Sequence, residues 1–112
     1  MKLNVYKKKE IVKTYEVDTY DLMWGTIEDV AAAIDLDKLE TGSDVEIIKL
    51  VGKLIFTSMD TISNLLKDIF DGLTDEELRN TKTAEIAVVL IDVVKFTIAQ
   101  LNIGFKGNKG KN

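Results

Sequence analysis

The chain has 112 residues, with 15 basic and 19 acidic side chains and a formal net charge of −4. This length is enough for one modest hydrophobic core, and the 46% apolar content is ordinary for a globular protein. The chain contains no cysteine and no histidine, which excludes disulfides, thiolate nucleophiles, imidazole metal sites and histidine-dependent catalytic triads. The absence of proline favours long uninterrupted helices.

Residues 1–17 predict a β-hairpin. From Ile11 to Val17 the side chains follow an approximate period of two, which is typical of a strand. Residues 3–6 are the candidate partner strand, and the lysines at 7–9 lie in the turn or protect an edge. Because a two-stranded ribbon is barely stable by itself, we expect it to pack against the helices or against another subunit.

A helical domain is predicted from residue 18 to residue 104. Large apolar side chains near its start indicate burial, and we interpret Trp24 as a core anchor rather than a ligand platform. Thr26 resembles an N-cap, with Asp29 three residues later, so the first helix is predicted over residues 26–34.

A polar connection follows at residues 35–42. Its Asp35 and Asp37, with Glu46 further on, have the spacing of a calcium loop. However, Leu39 replaces an oxygen ligand, and Glu40 occupies the position that needs glycine. We therefore expect no calcium site.

One long helix is predicted over residues 44–70, where Ser43 and Glu46 supply the signals of a capping box. Its length is on the order of 40 Å, which predicts an oligomer or a partner groove. Gly52 lies in its interior and is expected to permit close approach of another helix or a slight bend. The apolar positions that recur every three or four residues are Val45, Ile48, Val51, Leu54, Ile55, Met59, Ile62, Leu65, Leu66 and Ile69.

The junction at residues 68–78 carries the strongest local signals. Gly72 can adopt the left-handed conformation past a helix end. Thr74 and Glu77 then have the spacing of a capping box, with Leu73 and Leu78 placed as a hydrophobic staple. These signals predict a short helix over residues 74–80.

The last helix is predicted over residues 83–102, ending before Gly104 and followed by a flexible basic tail at 105–112. It is apolar over most of its circumference, which predicts a central position or an interface. The apolar run at 86–101 is too short and too charged to span a bilayer, so no membrane association is expected. Together the elements predict a mainly α fold with a minor β-hairpin, as one domain overall.

The polar residues point to binding or assembly rather than catalysis. The acids at 75–77 are explained by the first turn of a helix, and no Gly-rich phosphate loop occurs, so we expect a non-enzymatic protein without cofactor or metal. Those acids also have the wrong sign for a DNA-reading helix. Two alternatives remain open, a generic helical adaptor or regulatory oligomer, and a protein that associates weakly with nucleic acid through its basic ends.

The stretch from Leu65 to Arg79 resembles a segment of the tail assembly chaperones of long-tailed bacteriophages and prophages of Gram-positive bacteria. The similar elements are Ile69-Phe70, Gly72-Leu73-Thr74 and Glu76-Glu77-Leu78, followed by a Thr/Lys-containing link and an apolar last helix. Residues 13–15 and 24–29 add to the likeness. Asp71 departs from it, since proline is common there.

The resemblance implies a helical, non-enzymatic protein of the bacterial host's cytoplasm, one that keeps the tape measure protein soluble and aids assembly of the tail tube protein. We expect the client to bind apolar surface on the last helix and the far end of the long helix, and self-association into a homo-oligomer is the competing use of that surface. The candidate partner-binding residues are Ile69, Phe70, Ile86, Val89, Leu90, Val93, Val94, Phe96 and Leu101.

Overall fold

A computed structural model describes residues 1–34 and 42–109, with the side chains of 101–109 excepted. The predicted fold class is confirmed, since helices account for 66% of the structure and an antiparallel hairpin precedes them. In chain order the elements are β1 (Lys2–Lys7), β2 (Glu10–Glu16), a 3-10 turn (Thr19–Asp21), α1 (Trp24–Ala33), α2 (Asp44–Thr57), α3 (Met59–Ile69), α4 (Asp75–Arg79) and α5 (Thr83–Lys109).

The hairpin pairs Leu3 with Tyr15 and Lys2 with Glu16. The register shifts between Val5 and Tyr6, whose partners are Lys13 and Ile11, so β2 bulges at the residue between those two. The two turn residues Lys8 and Lys9 have φ values of 53° and 69°.

The hairpin packs against the helices as expected. Leu3 and Val5 are buried beneath it. The outer edge of β1 is covered, because the backbone N–H of Asn4 donates to Oε1 of Glu85 at 3.1 Å. The N–H of Tyr6 likewise donates to the carbonyl oxygen of Asn80 at 2.8 Å.

Helix α1 begins two residues before the predicted start. Its N-cap is Met23, without a side-chain hydrogen bond, and Thr26 is buried within the first turn instead of capping it. The predicted connection at residues 35–42, including its calcium-like spacing, lies outside the described residues except for Gly42. The start of α2 is confirmed, since Oγ of Ser43 accepts from the Glu46 N–H at 3.3 Å.

The prediction of one long helix over 44–70 is wrong, because the chain leaves helical geometry at Ser58, with φ −137° and ψ 49°. Beside the break, the Thr57 hydroxyl donates to the Lys53 carbonyl oxygen at 2.8 Å, a local bond typical of bent helices. With two segments, α2 packs on α5 while α3 packs on α1. A straight helix on the order of 40 Å could not follow both surfaces.

The junction between α3 and α4 matches its prediction. Gly72 has a φ of 88°, and Thr74 and Glu77 form a reciprocal capping box. Leu73 is buried, and Leu78 packs against the core. This agreement follows from the local nature of cap and turn signals, which do not depend on distant parts of the chain.

Helix α5 starts at Thr83, as predicted, but continues to Lys109. The predicted end before Gly104 is therefore wrong. Glycine lowers helix propensity without forcing a helix to end, and no proline follows it. Most of the predicted tail belongs to the backbone of α5, and residues 110–112 lie outside the described chain.

The core is organised around α5, which packs against α1, α2, the 3-10 turn and β1. Leu66 and Phe70 are completely buried at the end of α3. Thr97 of α5 is also completely buried, and its hydroxyl donates to the Val93 carbonyl oxygen at 2.8 Å. Within the described ranges, no helix has the length and apolar content needed to span a membrane.

Candidate partner-binding surface

Helix α2 is apolar on two opposite sides. Ile47 and Val51 are buried against the core, whereas Val45, Ile48 and Phe56 are 62%, 54% and 86% exposed. Spacings of three, four and four residues place Val45, Ile48, Gly52 and Phe56 in one stripe. We call this stripe the outer face of α2. It is a continuous apolar surface of about three turns that no described residue of the protein covers.

Gly52 lies at the centre of the outer face. The described residues place no atom within 4 Å of a Cβ added at this position, so the glycine makes room for nothing inside the fold. No other described helix approaches Gly52, so the expectation that it permits close approach of another helix stays a prediction. A glycine in a helix interior costs roughly 0.5–1 kcal/mol relative to alanine, and packing within this fold does not offset that cost.

An open groove begins where α2 meets α3. Met59, which is 72% exposed, contributes to its lining. The groove has a volume of about 430 Å³. Its apolar lining consists of Ile55, Met59, Ile62, Leu66, Leu78 and Ile86. We call it the elbow groove. Phe56 near the end of α2 and Met59 at the start of α3 are separated only by Thr57 and Ser58, so the groove and the outer face are neighbouring apolar surfaces.

Two lysines flank the outer face on one side. Lys49 and Lys53 each follow a stripe residue, and neither forms an ion pair with any described residue. Other lysines are paired, for example Lys95 with Asp44 at 2.8 Å and Lys13 with Glu77 at 3.3 Å. The outer face therefore presents unpaired positive charge on a protein whose net charge is negative.

A second exposed apolar patch lies at the start of α1. Tyr20 and Met23 are exposed, and the ring of Tyr20 meets Phe96 edge-on with the centroids 5.8 Å apart. The prediction that Trp24 anchors the core is wrong, because its side chain is 66% exposed. The buried side of α1 begins only at Thr26 and Ile27, so Trp24, the first residue of the helix, points away from the core.

Most of the predicted partner-binding side chains lie inside the protein's own core. The buried ones are Ile69, Phe70, Val89, Leu90, Val93 and Val94. In this fold the surrounding elements cover them, so a client cannot contact them while the core is intact. Ile86 and Phe96 are half-buried, and their role in binding stays a prediction. The side chain of Leu101 lies outside the described part of the chain.

A polar cluster joins the hairpin to the α3–α4 junction. The Tyr15 hydroxyl lies 2.6 Å from Oε1 of Glu77 and donates to it. This hydrogen bond, with the one from the Thr74 backbone and the nearby Lys13 ammonium, lowers the pKa of Glu77 to about 2. On the other strand, the Tyr6 hydroxyl donates to Glu85, which raises the pKa of Tyr6. Each group has a clear structural partner, so the cluster stabilises the fold.

The described side chains offer little for metal or acid–base chemistry. Only Thr26 and Thr97 are both polar and buried among them. No group of three or more Asp or Glu side chains that could hold a metal ion occurs in the same described part. The apolar region on α2 and the elbow groove is thus the most distinctive surface of the molecule.

Comparison with protein-family models, with curated proteins and with solved structures finds no match for this chain.

The sequence of α2 carries a signal for the outer face that periodicity along a single stripe does not reveal. Residues 44–57 are apolar at both the buried and the exposed positions, a pattern predicted above only for the last helix. When apolar positions are counted separately on each side of α2, Ile47 and Val51 fall on one side, and Val45, Ile48 and Phe56 fall on the other.

Proposed function

We propose that the protein is a non-enzymatic tail assembly chaperone, which binds and solubilises the tape measure protein in the cytoplasm of a bacterial host. The observation that carries the proposal is the apolar surface on α2 and the elbow groove, which none of the described residues covers. The resemblance of residues 65–79 to tail assembly chaperones supports the same reading. Assembly with the tail tube protein belongs to the same proposal.

The physical basis is the hydrophobic effect. Burying one large apolar side chain is favourable by about 1.5–3 kcal/mol relative to leaving it in water. In the free protein most of this favourable free energy is not realised at three exposed side chains, Ile48, Phe56 and Met59. A helical client with its own apolar stripe would recover the gain on binding, while the acidic remainder of the chaperone keeps the complex dispersed.

This proposal moves the client site from α5 to α2. Val89, Leu90, Val93 and Val94 of α5 are buried against the other elements, so these side chains stabilise the chaperone itself. The client would still bind the apolar side of a helix of the chaperone, but that helix is α2 instead of α5.

Co-expression tests the proposal. The chaperone is produced together with the protein encoded by a very long, helix-rich reading frame immediately downstream, and the soluble fraction of that client is measured. We expect Phe56→Asp to abolish most of the solubilisation, because burying a charge in an apolar contact is costly. Val88→Asp is the matched control, since Val88 is 59% exposed but lies on α5.

Circular dichroism establishes that both variants fold. A client that is equally soluble with and without the chaperone contradicts the proposed function. Equal solubilisation by the wild type and folded Phe56→Asp contradicts the assignment of the surface.

A further inference from the structure

We propose that the outer face of α2 binds an amphipathic helix that crosses it at Gly52 and carries acidic residues on the flank facing Lys49 and Lys53. The inference rests on the proposed function, because it describes the client segment that the chaperone would hold.

The position of Gly52 is the first support. It lies between Ile48 and Phe56, so the outer face has a notch between two large side chains. Glycine at a helix surface allows another backbone to approach closely, and a knob from the second helix can fill the notch. Since no described residue of the protein uses this space, the space is available to a partner.

The unpaired lysines are the second support. Lys49 and Lys53 are one turn apart on the same flank, and both lack an acidic partner among the described residues. A partner helix with Asp or Glu along this flank would complement them, and such pairs direct association and orientation. A partner with a basic flank would be repelled.

A second copy of this chain fits less well. Pairing two outer faces in antiparallel orientation, about a two-fold axis perpendicular to the helices at Gly52, would bring the two copies of Lys53 together, which places like charges at the contact. The charges therefore favour an acidic helix from another protein.

Two synthetic peptides test the inference. Both place leucines along one stripe at helical spacing, with alanines on the remaining positions, and they differ only in carrying Glu or Lys on the two flanks. Binding of the labelled peptides to the full chain is followed by fluorescence anisotropy. We expect the Glu peptide to bind at least ten-fold more tightly than the Lys peptide at low salt, with the difference shrinking as salt is added.

Gly52→Leu separates the notch from the charges. The added side chain projects into open space, so the variant should fold, which thermal unfolding confirms or denies. We expect it to weaken binding of the Glu peptide at least ten-fold. Gly25→Leu is the matched control, because Gly25 also faces open space but lies in α1. If Gly52→Leu destabilises the fold, the charge-reversal variant Lys49→Glu/Lys53→Glu replaces it in the test. We expect this variant to bind the Lys peptide more tightly than the Glu peptide.

The outcomes distinguish this inference from the proposed function. If the wild type solubilises the client and folded Gly52→Leu and Lys49→Glu/Lys53→Glu do so equally well, the inference is wrong while the function stands. If the Glu peptide binds as expected but the client is not solubilised, the function is wrong while the inference stands. A stable wild-type dimer in sedimentation that Gly52→Leu abolishes would overturn the inference in favour of self-association.

Discussion

Tyr15 and Glu77 connect the hairpin to the start of α4. The phenolic hydroxyl of Tyr15, in β2, donates to Oε1 of Glu77 at 2.6 Å, and Glu77 is the residue that closes the capping box of α4. The same carboxylate accepts from the Thr74 backbone N–H at 3.1 Å. One side chain therefore caps a helix and fastens the hairpin to it.

The first prediction concerns pH. The pKa of Glu77 is lowered from 4.5 to about 2 in the folded protein, so its stabilising contribution is fully present above pH 4.5 and is lost as the pH falls towards 2. Urea unfolding of the wild type and of Glu77→Gln should differ at pH 7 and converge near pH 2. Glu76→Gln, in the same helical turn, is the control and should keep the wild-type pH profile.

The second prediction concerns the hydroxyl of Tyr15. Tyr15→Phe keeps the ring packed near Phe70, whose centroid lies 6.1 Å away, and removes the hydroxyl's contacts with Glu77 at 2.6 Å and with the Gly72 carbonyl oxygen at 3.2 Å. We expect a loss of about 1 kcal/mol in the free energy of unfolding. The pKa of Glu77 should rise towards its ordinary value, which an NMR titration of its carboxyl group measures. An unchanged titration curve would show that Tyr15 does not lower this pKa.

The third prediction compares two glycines. Gly72→Ala should destabilise the protein by about 1–2 kcal/mol, because a residue with a Cβ is strained in the left-handed conformation at φ 88°. Gly52→Ala should stabilise it by about 0.5–1 kcal/mol, because the helix gains propensity and the new methyl group meets no neighbour. Thermal unfolding shows whether each variant is more or less stable than the wild type. A destabilising Gly52→Ala would show that other atoms pack against that position.

The fourth prediction compares two phenylalanines. Phe70 is 0% exposed and Phe56 is 86% exposed. Phe70→Ala should cost about 3–5 kcal/mol, from lost burial and the cavity left behind. Phe56→Ala should change the free energy of unfolding by at most about 0.5 kcal/mol. Denaturant titration of both variants checks this, and a large cost at Phe56 would mean that its side chain is covered.

The sequence predicts the parts of this fold that depend on near neighbours. The capping box at Thr74, the left-handed Gly72 and the hairpin follow from chemistry within a few residues. The break at Ser58 could not be found in this way, because the apolar period continues through it, while α2 packs on α5 and α3 packs on α1.

The candidate site was harder to predict than the fold. An apolar helix such as α5 is equally consistent with a core and with an interface, and only the assembled structure assigns Val93 to the core. Trp24 illustrates the reverse case, since its size favoured burial while its place at the first position of α1 left it exposed. In both cases the neighbours in space, which the sequence does not reveal, decide the outcome.

The edges of the hairpin limit how this protein can associate. Asn80 and Glu85 occupy the hydrogen-bonding edge of β1, and the bulge opposite Val5 and Tyr6 interrupts the ladder geometry of β2, whose edge also bears Lys13. A covered edge on β1 and a bulge and a lysine on β2 all disfavour strand-to-strand addition. The hairpin thereby resists polymerisation through its β-strands, although Ile48, Phe56 and Met59 expose apolar surface on the helices.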